Sequence, residues 1–192
     1  MSGAEPSGDE LIVVDAAAWR RWLDAHESDS DGVWLVLAKK GTTEPTRLSY
    51  ADALDEALCS GWIDGPKGSR DATTFRQRFT PRRARSMWSA RNVVHIARLA
   101  DDGRLRPRGQ AEVERAKADG RWDRAYEGSA TAEPPTQLLR ELDAVPGARA
   151  AFEALSRAER YSILHPLLTA ATPKTFDARL RRALERLAPS PE

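Results

Sequence analysis

The sequence predicts an α+β fold, in which a small, mainly antiparallel sheet with packed helices is followed by an all-helical C-terminal region. Short apolar or alternating runs bounded by turn residues occur only before residue 80, which is typical of strands. From residue 136 onward, apolar residues recur at helical spacing behind N-cap residues. With 192 residues, of which 41% are hydrophobic and 31% charged, the chain has the composition of a globular protein.

The first half alternates predicted strands with predicted helices. Strands are predicted at 11–14, 33–38, 62–63 and 73–79, and the apolar run 33–38 is expected to be central and covered on both faces. Asp15 is expected to cap a helix over 16–26. Ser49, with Asp52 three residues on, begins a second helix that ends at Gly61. Asp64 then opens a turn that extends to residue 68.

The second half is predicted to be helical. A helix capped by Ser86 or Ser89 runs to 102, and another covers about 107–119. Further helices are predicted at 136–145, 147–155, 156–170 and 172–187, with a capping box formed by Ser156 and Glu159. We therefore expect a disordered leader at 1–10, an α+β domain at 11–126, a linker at 127–135 and a helical region at 136–188.

Charge is distributed unevenly along the chain. Residues 1–65 carry 5 bases and 13 acids, residues 66–124 carry 16 bases and 7 acids, and residues 125–192 carry 9 of each. The basic middle either steers anions to one face or is neutralised by the acidic first third. A single cysteine, an acidic first ten residues and the lack of a long apolar run predict a cytoplasmic protein without a membrane span. The sequence does not determine the oligomeric state.

The sequence contains no motif for most classes of catalysis. The three histidines, His26, His95 and His165, lack neighbours at ligand spacing, so we predict no metal site. Cys59 lies at a helix C-terminus, which disfavours a thiolate and favours a packing role. No phosphate loop, dinucleotide fingerprint or nucleophile elbow occurs, so no cofactor is predicted. Asp64 is the remaining candidate for a general base.

An arginine-rich segment is the main candidate for function. Between residues 67 and 91 there are eight bases and one acid, Asp71. Guanidinium groups beside a helix start and aromatic rings suit a phosphate or carboxylate. The alternative interpretation is a solvated face whose arginines pair with the acidic first third. The predicted ligand-binding residues are Arg76, Arg78, Arg82, Arg83, Ser86 and Trp88, with Trp62 and Asp64 at the rim.

The chain also resembles the YdeI/OmpD-associated family, whose members are called bacteriocin-protection proteins. The resemblance extends over about residues 11–188, with two departures: the family has a large residue at Ser60, and basic residues at 168–171 and Phe176. It is carried by the segments ALCSGWIDG (57–65), RFTPR (78–82) and AKADGRW (116–122), by Ser86, Trp88, Ser89, Asn92, Leu99, Gly103 and Gly109, and by Ala150, Phe152, Leu155 and Ser156 in the helical tail.

The resemblance implies a role in tolerance to cationic antimicrobial peptides and bacteriocins, partly through an outer-membrane porin. Combined with the residues themselves, it predicts a non-catalytic cytoplasmic binding or stress-tolerance protein that presents arginines to an anionic small molecule or protein partner. Two alternatives stay open. One is an enzyme that acts on an anionic small molecule with Asp64 as general base, and the other, the weaker of the two, is a nucleic-acid-binding protein.

Overall fold

The fold was analysed in a computed structural model that describes residues 10–187. The predicted leader, 1–10, lies outside the described residues except for Glu10. The described chain contains four strands and eight helices, which confirms the α+β class. It divides into two compact units: the first runs to Ser86 and includes Val94–Gly120, and the second comprises Met87–Val93 and the chain from Arg121 onward. None of the described helices is long and apolar enough to cross a membrane.

The first unit contains a four-stranded sheet with the order β1-β2-β4-β3. Its strands are β1 (Glu10–Leu11), β2 (Val33–Ala38), β3 (Trp62–Ser69) and β4 (Thr74–Pro81). Strand β1 pairs in parallel with β2, whereas the β2–β4 and β3–β4 pairs are antiparallel. The predicted central position of the run 33–38 is confirmed, because β2 has a hydrogen-bonded neighbour on each side and is largely buried.

Two helices, α1 (Ala16–His26) and α2 (Tyr50–Cys59), pack together and complete the core of this unit. Both begin where the sequence predicts. Asp15 accepts a hydrogen bond from the backbone nitrogen of Ala18 at 2.9 Å. Ser49 accepts one from the backbone nitrogen of Asp52 at 3.2 Å. Each cap satisfies a backbone donor that would otherwise have no partner at the helix start.

Helix α3 (Ala90–Asp101) has residues in both units. The next helix along the chain, α4 (Pro107–Ala118), contacts α2. The α2–α4 contact is very close at one point. A Cβ added at Gly109 would lie 2.2 Å from the carbonyl oxygen of Cys59. Since a methyl group cannot fit at that distance from a backbone oxygen, glycine is required there.

The second unit contains α5 (Thr136–Ala144), α6 (Ala148–Ala154), α7 (Arg157–Leu168) and α8 (Pro173–Leu187). Its core is apolar and includes Leu138, Phe152, Leu164 and Leu180. The predicted capping box at the start of α7 is present: Glu159 accepts from the backbone of Ser156 at 2.8 Å, and Ser156 accepts from the backbone of Glu159 at 3.3 Å.

Two strand predictions were wrong in extent. The predicted strand at 11–14 is reduced to Glu10–Leu11, and the Ile12 and Val14 side chains that follow are 43% and 48% exposed. The residues Asp64 and Gly65 were expected to open a turn, but β3 continues through them to Ser69. The register shifts between Asp64 and Lys67, so a β-bulge absorbs the glycine and proline that suggested a turn.

Candidate functional site

The two faces of the sheet carry different side chains. Phe79 of β4 pairs with Val33 and packs against Trp19 of α1, with ring centroids 5.7 Å apart. Because side chains alternate along a strand and paired residues share a face, Arg76 and Arg78 lie on the face opposite α1. Trp34 is the cross-strand partner of Arg78. We call this side, with Trp34, Arg76 and Arg78, the outer sheet face.

Arg76 is already matched to partners within its own unit. Its Nη1 lies 3.4 Å from a carboxylate oxygen of Glu10, and its guanidinium carbon lies 4.9 Å from the centroid of the Trp34 ring. Arg70 contacts the same carboxylate, with Nε to Oε2 at 2.9 Å. Part of the basic segment is therefore neutralised by the acidic first third, as the alternative interpretation of the sequence proposed.

Arg78 differs from Arg76, although it is two residues away on the same face. The residue is half-buried, and its guanidinium forms no ion pair with any carboxylate in residues 10–187. Two glycines flank it: a Cβ at Gly32 would lie 3.0 Å from its Nη2 and 2.6 Å from the carbonyl oxygen of Phe79, and one at Gly65 would lie 3.5 Å from its Cβ. The backbone around Arg78 is therefore free of bulky side chains at these two points.

The loop after β4 carries two exposed arginines, Arg83 and Arg85. Ser86 shapes this loop, since its hydroxyl accepts a hydrogen bond from the backbone nitrogen of Arg83 at 2.9 Å, and its own backbone nitrogen donates to the Arg83 carbonyl at 2.9 Å. The sequence left the cap of α3 open between Ser86 and Ser89. The structure assigns it to Ser89, which accepts from the backbone nitrogen of Asn92 at 3.2 Å.

Three predicted site residues lie in the interior instead of on the predicted surface. Trp62 is fully buried, with its ring centroid 6.4 Å from that of Trp19 and in an edge-to-face arrangement. Arg82 is 6% exposed. Trp88 is 1% exposed and lies in the second unit, where its ring centroid is 5.0 Å from that of Trp122. None of the three is placed to stack on a ligand at the surface, because each is buried.

Asp64, the candidate general base, is half-buried and hydrogen bonded. The hydroxyl of Tyr50 donates to its Oδ2 at 2.7 Å. Asp64 pairs with Phe79 across β3 and β4, so it lies on the same face as α1. Asp64 and Arg78 consequently lie on opposite faces of the sheet. The arrangement in which a carboxylate base works beside the strand arginines is therefore not formed by these residues.

A buried ionic network surrounds Glu56 of α2 and was not predicted from the sequence. Glu56 is 2% exposed and accepts from Arg20 at 2.8 and 2.6 Å, from Arg104 at 2.7 Å and from Arg106 at 3.0 Å. Burial raises the pKa of Glu56, but the hydrogen bonds from Arg20 and Arg104 outweigh it, so the net effect is a lowered pKa. An acidic residue beside the apolar stripe of α2 was the available signal.

Nearby, Cys59 has the properties of a packing residue. Its side chain is 1% exposed, and burial, followed by the negative charge of Glu56, raises the pKa of its thiol to about 11. A thiol with that pKa carries almost no thiolate at neutral pH. Within residues 10–187, no three His, Cys, Asp or Glu side chains are grouped closely enough to hold a metal ion.

Comparison with known proteins assigns the two parts of the chain to two family models. Residues 11–112, just over half of the chain, match the model of a domain of unknown function, DUF8412. The chain belongs to the DUF8412 family. The sheet apart from Glu10, the outer sheet face and the Glu56 network lie within the DUF8412 match.

The C-terminal part matches a second model. Residues 131–189 match the family described as "Bacteriocin-protection, YdeI or OmpD-Associated", which confirms the resemblance predicted from the sequence. The match covers α5 to α8, whereas most residues that carried the resemblance lie in the DUF8412 part or just after it. No curated protein and no solved structure matches the chain.

Proposed function

We propose that this protein is a non-catalytic, cytoplasmic binding protein of the bacteriocin-protection type, and that its outer sheet face binds an anionic partner. One observation carries the proposal: Arg78 lies on the outer sheet face without an intramolecular ion pair in residues 10–187, whereas Arg76 beside it is neutralised by Glu10. A cation left unpaired on a strand face attracts a carboxylate or phosphate from outside the chain.

The surroundings of Arg78 favour a protein partner with an acidic segment. The half-buried Trp34 ring is its cross-strand neighbour and offers apolar contact beside the charge. Arg83 and Arg85, both exposed, extend the positive charge along the following loop. The positive charge of this face repels a cationic peptide. The acidic partner is therefore distinct from the bacteriocins in the family's description.

Nucleic acid is the less favoured anion. Sheets that bind single-stranded RNA expose aromatic side chains on two central strands, where successive bases stack. On the outer sheet face, β2 contributes Trp34, and β4 contributes arginines without an aromatic residue.

Cytoplasmic placement is proposed because the only cysteine of the chain, Cys59, is a buried free thiol that needs no oxidising compartment.

A labelled acidic peptide tests the proposal directly. Binding of fluorescein-labelled hepta-glutamate is followed by fluorescence anisotropy at roughly 50 and 200 mM salt, because attraction between exposed charges weakens as salt screens it. The variant Arg78→Ala is expected to weaken binding about five- to tenfold, which corresponds to roughly 1.0–1.4 kcal/mol. Arg78→Lys keeps the charge and is expected to retain most of the affinity.

The matched control is Arg140→Ala, because Arg140 is an exposed arginine of the second unit with a carboxylate partner at 3.6 Å. Equal losses for Arg78→Ala and Arg140→Ala would show that binding follows net charge and would reject the outer sheet face. Tighter binding of a single-stranded oligonucleotide than of the peptide, with a steep salt dependence, would favour the nucleic-acid alternative. Asp64→Asn is expected to leave peptide binding unchanged, since Asp64 lies on the other face.

A further inference from the structure

The helical second unit contains a cavity between α7 and α8 with a volume of about 430 Å³. This volume lies in the range of small-molecule sites in proteins. Ile163, Pro166 and Ala183 provide apolar wall. The polar lining comes from Ser162, His165 and Thr169 of α7 and from Arg179, Arg182 and Arg186 of α8. We call this the α7–α8 cavity.

The three arginines share one side of α8 because they are spaced three and four residues apart. They lie next to the stripe of Leu180, Ala183 and Leu187, which is buried in the core of this unit. The core contacts of α8 thus fix the arginine side toward α7. A helix with this pattern holds its cations at the edge of the apolar core.

Among the residues that the structure describes, no carboxylate lines the α7–α8 cavity. Among residues 10–187, Arg179, Arg182 and Arg186 have no ion-pair partner, whereas Arg149 in the same unit contacts both Asp143 and Glu153. Three cations around one concavity repel each other, and an anionic ligand would remove that cost. The charge of the cavity therefore selects for a ligand with more than one negative charge.

Arg179 has a partly separate role. Its Nη1 donates to the carbonyl oxygen of Pro166 and lies 3.4 Å from the hydroxyl of Thr169. The carbonyl groups at the C-terminal end of α7 carry partial negative charge, which the guanidinium of Arg179 offsets. With that end neutralised, Arg182 and Arg186, both exposed at the cavity, are available to an incoming anion.

Among the remaining polar groups of the lining, His165 can donate a hydrogen bond to an oxyanion through its imidazole ring. The hydroxyl groups of Ser162 and Thr169 already donate to the carbonyl oxygens of Glu159 and His165, each at 2.7 Å, so they add polarity to the wall but no free donor. Burial, and next the charge of Arg179, lower the pKa of His165, so the ring is neutral at pH 7 and offers one N–H donor. Tyr126 and Tyr161 pack against that ring, with centroids 4.8 and 5.6 Å from it, and hold its position.

We propose that the α7–α8 cavity is a binding site for a small organic phosphate, with Arg182 and Arg186 contacting the phosphate oxygens. The phosphate dianion matches the paired donors of guanidinium groups. The apolar wall of Ile163, Pro166 and Ala183 accommodates the carbon skeleton. This site is separate from the outer sheet face of the first unit and does not depend on the function proposed for it.

Isothermal titration of the full chain with glucose 6-phosphate, with glucose as the uncharged control, tests the proposal. Glucose 6-phosphate is expected to bind saturably, and glucose is not. Arg182→Ala and Arg186→Ala are each expected to weaken binding about tenfold or more. Arg181→Ala is the matched control, because Arg181 is an exposed arginine of the same helix that does not line the cavity, and a change below about twofold is expected.

Several outcomes would overturn the proposal. One is the absence of saturable binding by the unsubstituted chain, and another is an equal loss in Arg181→Ala and Arg182→Ala, which would indicate diffuse charge. Displacement of glucose 6-phosphate by a tighter-binding hepta-glutamate peptide would assign the α7–α8 cavity to an acidic protein instead. Arg78→Ala is expected to leave phosphate binding intact, so this test and that of the outer sheet face fail independently. Thermal unfolding of each α8 variant checks that it is folded.

Discussion

Replacing Glu56 by Gln should destabilise the first unit strongly, because it removes the one negative charge that three arginines share. The carboxylate is 2% exposed and accepts four hydrogen bonds of 2.6 to 3.0 Å from Arg20, Arg104 and Arg106. Glutamine has nearly the same shape, so no cavity forms. Its amide nitrogen, however, would face guanidinium donors instead of accepting from them.

The size of the effect follows from what each arginine keeps. Removing one partner of a buried ion pair costs about 3–5 kcal/mol. Arg106 retains Asp24 at 2.9 Å, Arg104 retains a carboxylate oxygen of Asp55 at 3.6 Å, and the side chain of Arg20 is 49% exposed and can be hydrated. These second partners reduce the loss, so we expect a free energy of unfolding lower by about 3 kcal/mol.

Urea unfolding, followed by tryptophan fluorescence and circular dichroism at pH 7, measures this difference. Glu114→Gln is the control, because Glu114 is an exposed residue of α4 that contacts Gln110, and its effect should stay within about 0.5 kcal/mol. The pH dependence gives a second check. Since the pKa of Glu56 is lowered, its contribution is present above the ordinary value of 4.5 and is lost as the pH falls through the folded-state pKa.

The reasoning would be refuted by a loss below about 1 kcal/mol at pH 7, because such a value is typical of a solvated surface pair. It would also fail if the difference in free energy of unfolding between the parent chain and Glu56→Gln grew under acidic conditions. In that case the protonated carboxyl would be the stabilising form, and the arginine hydrogen bonds would not be its source.

Two further predictions concern helices α2 and α4. Gly109→Ala is expected to lower the free energy of unfolding by about 2 kcal/mol or more, because the new Cβ would lie 2.2 Å from the Cys59 carbonyl oxygen. Gly128→Ala is the neutral control in the same urea assay, because a Cβ at Gly128 would have nothing within 4 Å. Burial is the main cause that raises the pKa of the Cys59 thiol to about 11. The thiol is therefore expected to resist a disulfide reagent at pH 8 in the folded chain and to react fully in urea. A reaction rate in the folded chain equal to that of a free thiol would contradict this prediction.

The parts of the fold that depend on neighbouring residues could be predicted from the sequence. Helix α1 and strand β2 occupy the predicted ranges, 16–26 and 33–38, because a cap or an apolar run specifies each of them locally. The capping box at Ser156 and Glu159 likewise places the start of α7 without reference to the rest of the chain. Local signals of this kind also gave the correct fold class.

The parts that depend on distant residues could not be predicted in the same way. Asp64 and Gly65 have the composition of a turn, but cross-strand hydrogen bonds with β4 keep them in an extended strand. Trp62 and Arg82 were expected near a ligand, yet both are buried. Burial at the ends of strands is set by which elements cover them, and the sequence alone does not give that information.

The same limit applies to the charges, and it explains why counting bases could not define a site. Arg76 and Arg78 are equivalent in a list of residues, but Glu10 neutralises one of them across 66 positions of sequence and leaves the other. In the last third, bases and acids are equal in number, so composition indicated no field there. Three arginines nevertheless line one cavity on one side of α8, and no carboxylate within residues 10–187 lies in its wall. The informative quantity is thus the set of cations for which the fold supplies no anion, and that set can be read only once the strands and helices are placed.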